Sequence, residues 1–261
     1  MGLSVVILVG GLGTRMGQET DARPKPLVEI GGRPILWHVM KIFASQGHNH
    51  FILPLGYRGD LFRRYFVEYQ ALTRDFTFEL GHPENREYHE YSREAAWELT
   101  MIDAGLHTNK AGRVCRAGPY LRGDRFFVTY GDGLGNVDLA ALLQFHKKHG
   151  NLATLTGCRP FSQYGILELD SERVISMQEK PRLANWINAG FMLFERPLLD
   201  RLSMDSSEDL ESDVLPELAG NGELMMYPHE GFWASMDTFK EAQTLNELWE
   251  SPQGAPWKTW D

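Results

Sequence analysis

An α/β fold, built on a mixed, mainly parallel central sheet flanked by helices and ending in a strand-rich half, is predicted by three observations. Leu3 to Val9 is a short, continuous, β-branched run feeding directly into Gly10-Gly11-Leu12-Gly13, as a strand buried on both faces of a parallel sheet does. Strand and helix patterns then alternate as far as Gly150. Beyond Gly150 the texture becomes closely spaced strands punctuated by Gly, Pro and Asp-Ser.

Taken in order, the first strand ends at the glycine turn. Pro34 opens a helix in which Ile35, Val39, Ile42 and Phe43 fall on one face. Phe51 to Leu55 is the next strand, and Leu61, Phe62, Tyr65, Phe66 and Tyr69 repeat at helical spacing. Phe126 to Tyr130 is a third strand, followed by a helix carrying Leu139, Leu142, Leu143 and His146. Strands are expected over 152–156, 166–169, 174–177, 191–194 and 224–227, with helical pieces after Pro197 and Phe239. The segment 81–112 has little periodicity and reads as an ordered loop, a hairpin or a flap. No repeat and no long linker is visible, so one domain over 1–261 is expected, its 151–261 half extending the sheet of the 1–150 half.

With 26 basic and 35 acidic side chains among 261 residues, the formal charge is −9, which argues against a nucleic-acid partner or an anionic membrane surface. No apolar run approaches the roughly 20 residues of a membrane-spanning helix, and Leu3 to Val9 lacks the flanks of a signal peptide. Cys115 and Cys158 cannot form a disulfide framework or a four-cysteine zinc site, so a reducing, cytoplasmic setting is expected. His38, His107 and His146 are expected to be helix or loop residues rather than metal ligands.

Glycines after a buried strand let backbone N–H groups approach a phosphate closely. The spacing does not fit a P-loop, and Met16 stands where a dinucleotide fingerprint would want glycine. A tight turn without ligand is the plainer reading of the glycines alone. Arg15, and Lys25 held between Pro24 and Pro26, add cations suited to an oxyanion.

Gly10-Gly11-Leu12-Gly13-Thr14-Arg15 and Pro24-Lys25-Pro26-Leu27-Val28-Glu29-Ile30-Gly31-Gly32-Arg33-Pro34-Ile35 together resemble the opening of the sugar-phosphate nucleotidyltransferases. The tail Ala255-Pro256-Trp257-Lys258-Thr259-Trp260 is similar to that of the glucose-1-phosphate cytidylyltransferase branch. The resemblance implies a Rossmann-like nucleotidyltransferase fold and transfer of a cytidylyl group from CTP to a sugar 1-phosphate, with Mg2+ as cofactor.

It also implies site residues. Leu8, Gly10, Gly11, Gly13, Thr14, Arg15, Lys25, Thr100, Arg113 and Gly131 would meet the nucleotide. Tyr164, Gly165, Glu179, Lys180, Asn188 and Gly190 would meet the sugar phosphate. Arg15, Lys25, Asp132 and Lys180 would serve catalysis, and Asp132 and Asp237 would hold the metal. Trp97, Leu99 and Asp103 would join Thr100 and Arg113 in a loop covering the pyrimidine, although Trp97 is equally readable as a packed core residue.

The residues themselves permit this chemistry. Asp132, in Tyr130-Gly131-Asp132-Gly133, closes a strand at the edge where open α/β sheets place ligands. Taken singly it also reads as a turn residue, and Asp237 as the N-cap of the helix after Phe239. Two acids brought together in a partly dry site repel unless a cation lies between them, and Mg2+ is bound by one or two carboxylates. A sugar phosphate is already anionic, so no general base is required.

Two departures from the branch's pattern, Gln163-Tyr164-Gly165 and Asn188-Ala189-Gly190, fall in the implied sugar pocket and bear on which sugar fits. Alternatives are another nucleotide or phosphorylated acceptor on the same fold, or a non-catalytic nucleotide sensor. The aromatic tail, with Trp249, Trp257 and Trp260, is expected to pack on its own body or on another subunit, and a homo-oligomer is expected.

Overall fold

The structure is a computed structural model, and it describes residues 2–11, 23–89, 91–92, 94–162, 164–204 and 207–260. The expected first strand is β1 (Ser4–Leu8). Two short strands, β2 (Glu29–Ile30) and β3 (Arg33–Pro34), lead into α1 (Ile35–Ser45), which Pro34 caps and which buries Ile35, Val39, Ile42 and Phe43 as expected. Then come β4 (His50–Leu55), α2 (Gly59–Val67) and the short α3 (Tyr69–Thr73).

The unreadable segment resolves into a hairpin, β5 (Phe76–Glu79) with β6 (His82–Tyr88), an edge strand, β7 (Glu98–Asp103), and a helix, α4 (Lys110–Ala117). β8 (Arg125–Tyr130), β9 (Gly133–Gly135) and α5 (Leu139–His149) follow. The second half contributes β10 (Ala153–Cys158), β11 (Ile166–Asp170), β12 (Arg173–Gln178), β13 (Ile187–Asn188) and β14 (Met192–Glu195). It closes with α6 (Leu215–Gly220), β15 (Leu224–His229), β16 (Trp233–Ser235) and α7 (Phe239–Glu250).

β7, β4, β1 and β8 run parallel and adjacent, with Val5 opposite both Phe51 and Phe127. β14 then pairs antiparallel with β8 and with β10, and β15 pairs parallel with β10, so strands from both halves share one mixed sheet of eight strands. The unbroken apolar run of β1 has a direct cause: Val5 and Ile7 enter the core on one face of the sheet, Val6 and Leu8 the core on the other.

Because β1 and β8 are parallel neighbours, Gly10-Gly11 and Gly131-Asp132 emerge at the same sheet edge. The tail folds back onto its own chain, where Trp257 is fully buried and stacks on Phe232 and Trp249. Among the described residues no helix is long and apolar enough to cross a membrane.

Candidate active site

Lys25 is held by a single 3-10 turn, Lys25–Leu27, which follows Pro24 and closes with Leu27 N–H donating to Pro24 O at 2.8 Å. Its ammonium lies 2.6 Å from Asp132 Oδ2 and 2.7 Å from Asp237 Oδ1. Burial opposes the charge, but the two carboxylates outweigh it and hold the lysine pKa above its ordinary value.

Two acids so far apart in sequence meet because β9 and β16 pair antiparallel, with Gly133 opposite Ser235, and Met236 N–H donates to Asp132 O at 3.0 Å. Asp237 is not the helix N-cap. Thr238 fills that position in a reciprocal capping box with Glu241, which leaves the Asp237 carboxylate turned to Lys25.

These groups border a cleft of about 520 Å³ at the carboxyl edge of β1 and β8, lined also by Leu8, Gly10, Gly11, Tyr130 and residues 106–110. Gly10 and Gly11 serve different ends. A methyl group on Gly10 would stand 2.0 Å from Arg113 Nη1, whereas one on Gly11 would meet nothing within 4 Å among the described residues. At Gly10 the missing side chain makes room for an arginine, which at Gly11 no described residue requires.

Arg113 borders the cleft but is almost fully buried. Its guanidinium donates to the carbonyls of Pro54, Leu55, Gly10, Gly105 and Leu106, at 3.0 to 3.4 Å. In this structure it ties the turn after β1, the end of β4 and the loop after β7 together, and its donors face protein carbonyls rather than open space.

Thr100 does not border the cleft. It stands in β7 opposite Ile52, so the pyrimidine-covering loop expected around it is an edge strand. Trp97 takes the plainer of its two readings, packing its ring 5.6 Å from that of Phe51 and 6.2 Å from that of Trp37. His38 and His146 lie in α1 and α5, buried and bonded to protein groups.

The residues implied for the sugar phosphate fall in two places. Tyr164, Gly165, Glu179 and Lys180 sit together at the base of the β11–β12 hairpin, where a methyl on Gly165 would lie 3.2 Å from Glu179 Oε2; they do not border the cleft. Asn188 and Gly190 lie directly behind its wall. Asn188 Nδ2 donates to the Tyr130 hydroxyl at 3.1 Å, and Gly190 N–H donates to Asn188 Oδ1 at 3.0 Å. Gly13, Thr14 and Arg15 lie outside the described residues.

Sequence reasoning missed Lys110 and Asp209, which border the cleft, and Glu211 behind them. Asp209 and Glu211 belong to a polar stretch that carries no periodic signal. Among the described residues no cluster of three or more His, Cys, Asp or Glu is arranged to hold a metal, so any ion here would rest on the Asp132 and Asp237 pair.

A family model described as nucleotidyl transferase matches residues 4–249, nearly the whole chain. The chain belongs to the nucleotidyl transferase family. Within it, the glucose-1-phosphate cytidylyltransferase of Salmonella typhi is 41% identical over 261 residues, covering 99% of this chain and 100% of that one. A Bacillus subtilis protein named "Probable glucose-1-phosphate cytidylyltransferase" is 38% identical, with 99% and 100% covered. The crystal structure of HddC from Yersinia pseudotuberculosis superposes with a TM-score of 0.69 at 21% identity, covering 95% of this chain and 100% of that one, which supports the mixed α/β nucleotidyltransferase fold.

Proposed function

We propose that this nucleotidyltransferase transfers a cytidylyl group from CTP to a sugar 1-phosphate, with α-D-glucose 1-phosphate as acceptor, releasing pyrophosphate and a CDP-sugar. The observation that carries the reading is full-length likeness to relatives bearing that name.

The physical task is to let two polyanions meet. The sugar phosphate oxygen attacks the α-phosphorus of CTP in line as pyrophosphate leaves, and no proton has to be removed. Lys25 borders the cleft, where its fixed ammonium would offset charge on the α-phosphate and the incoming phosphate. The backbone N–H of Gly11, which borders the cleft, would meet the triphosphate, with Gly13, Thr14 and Arg15 continuing that cradle toward the departing phosphates.

The two acids suit Mg2+: Asp132 and Asp237 already converge on one cationic point, Lys25 Nζ, and offer the hard oxygen donors that ion prefers. When bound, the ion would neutralise phosphate charge. Glu179 and Lys180, with Tyr164 and Gly165, would serve the sugar phosphate from the hairpin base, and Asn188 and Gly190 from behind Tyr130.

A homo-oligomer remains part of the reading on a new ground. The buried tail already has its partner within the chain, whereas Leu167, Leu169, Val174 and Met177, forming two cross-strand pairs of the β11–β12 hairpin, are all at least half exposed. Free Cys115 and Cys158 accord with a cytoplasmic setting.

The test is pyrophosphate release across CTP, UTP, dTTP, ATP and GTP against a panel of sugar 1-phosphates, with and without magnesium. Preference for another nucleotide would replace the cytidylyl reading. Tight CTP binding with no turnover on any sugar would favour a sensor.

A further inference from the structure

Four polar side chains outside the Lys25 cluster form one continuous chain along the cleft. Lys110, at the start of α4, donates from Nζ to Glu211 Oε2 and lies 3.5 Å from Asp209 Oδ1. The other oxygen of the same carboxylate, Glu211 Oε1, accepts the hydroxyl of Tyr130 at 2.5 Å. That hydroxyl in turn accepts Asn188 Nδ2 at 3.1 Å, and Asn188 Oδ1 accepts Gly190 N–H at 3.0 Å.

The ends of this chain come from elements distant in sequence, Lys110 from α4 and Asn188 from β13. Lys110 borders the cleft beside Thr108 and Asn109, and Tyr130 borders it directly before Gly131-Asp132. Glu211 itself is not among the cleft-lining residues, so it acts on the cleft through its neighbours.

We propose that Glu211 is a positioning residue: its one carboxylate clamps Tyr130, and through it Asn188 and Gly190, against Lys110, and so sets the sugar-phosphate side of the cleft relative to the nucleotide side. The proposal rests on the nucleotidyltransferase reading given above and adds to it a residue that no substrate need touch.

Three further features support this. The Tyr130 hydroxyl uses both its donor and its acceptor capacity within the chain, which leaves the ring one preferred orientation. The segment held is tight: a methyl on Gly190, at φ +76°, would lie 3.0 Å from Tyr130 Cδ2. The same segment is fixed from its far side, where Trp233 Nε1 donates to Ala189 O at 2.8 Å. Residues 188–190 are also held on β10, where Ala189 N–H donates to Thr156 O at 2.9 Å, and Glu211 fixes the Tyr130 ring against which they pack. A hydrogen bond to a carboxylate is among the stronger ones, and losing its acceptor leaves a half-buried hydroxyl unsatisfied.

The experiment is steady-state kinetics on the full chain for Glu211→Ala, Glu211→Gln, Tyr130→Phe and the double variant Tyr130→Phe/Glu211→Ala, varying glucose 1-phosphate and CTP in turn. The expected result for Glu211→Ala is a rise of about tenfold in KM for glucose 1-phosphate, with KM for CTP moving less than about threefold. Tyr130→Phe should behave alike, and the double variant should be no worse than the worse single one, since both remove the same bond. Glu211→Gln keeps an acceptor for Tyr130 and should recover part of the loss.

Equal rises in both KM values, additive effects in the double variant, or an unchanged KM for the sugar phosphate would overturn the proposal. Should circular dichroism show Glu211→Ala unfolded, Glu211→Gln and Tyr130→Phe carry the comparison. Failure of the wild-type chain to make any sugar nucleotide would count against the functional reading alone. Calorimetric affinity for glucose 1-phosphate in wild type and Tyr130→Phe then decides the clamp, with weaker binding in the variant supporting it and equal binding overturning it.

Discussion

Trp257 donates its indole N–H to Nδ1 of His38 at 3.4 Å, across 219 positions of sequence. The second ring nitrogen of His38 donates to Ile30 O at 2.8 Å, so this histidine is neutral, with its proton on Nε2. Trp249 packs edge-on against the same ring at 4.7 Å. The tail is therefore part of the core beside α1. Trp257→Ala should cost about 3–5 kcal/mol by opening a cavity, a fall of roughly 10 °C in Tm. Deleting the residues after Gly254 should do at least as much. Unchanged melting in both would show that the tail contributes no stability.

The same histidine makes stability depend on pH. Burial lowers the His38 pKa from 6.5 to about 4, against the help of the Ile30 carbonyl. The folded state thus binds fewer protons than the unfolded one. The contribution of His38 is complete above its unfolded value and is lost as pH falls through about 4. Burial depresses His48, His50, His146 and His149 in the same direction. Urea unfolding at pH 7 and pH 4.5 should show the wild type losing more stability than His38→Gln, by up to about 3 kcal/mol. Parallel losses would refute the assignment.

The parts of this fold legible in the sequence are those whose burial imposes a period. β1 reads as an unbroken β-branched run because both faces are covered, and α1 reads from Ile35, Val39, Ile42 and Phe43 because one face is. β5 and β6 were not legible, because that hairpin is largely exposed and has no burial pattern to write into its residues. The strand pair that joins the two acids, β9 with β16, is three residues long on each side, too short for any alternation, so Asp132 and Asp237 could be joined only through family resemblance. Glu211 lies in a five-residue helical turn, Leu210–Val214, too short to show a period, and no motif marks it.

Asp132→Asn and Asp237→Asn should each lower kcat by about a hundredfold or more, since charge rather than hydrogen bonding holds a divalent ion, while leaving the fold intact. The amide can still accept from Lys25, which separates the two roles. Far-ultraviolet dichroism and Tm report the fold; pyrophosphate release at graded magnesium reports the rest. Near-normal rates in both variants would remove the metal assignment.

Gly10 and Gly11 are chemically identical neighbours with opposite predicted responses. In Gly10→Ala the new methyl is forced to within 2.0 Å of Arg113 Nη1, so the guanidinium must leave the carbonyls of Pro54 and Leu55, of which Leu55 keeps only its bond from Ala104 N–H. A loss of about 2–4 kcal/mol in stability is expected, with activity falling alongside it. In Gly11→Ala the methyl meets none of the described residues, so Tm should hold, while the backbone N–H becomes less approachable and KM for CTP rises. Arg113→Lys should mimic Gly10→Ala, because a single ammonium cannot serve five carbonyls spread around a planar fork. Equal melting temperatures for Gly10→Ala and Gly11→Ala would show that Arg113 does not depend on the missing side chain at position 10.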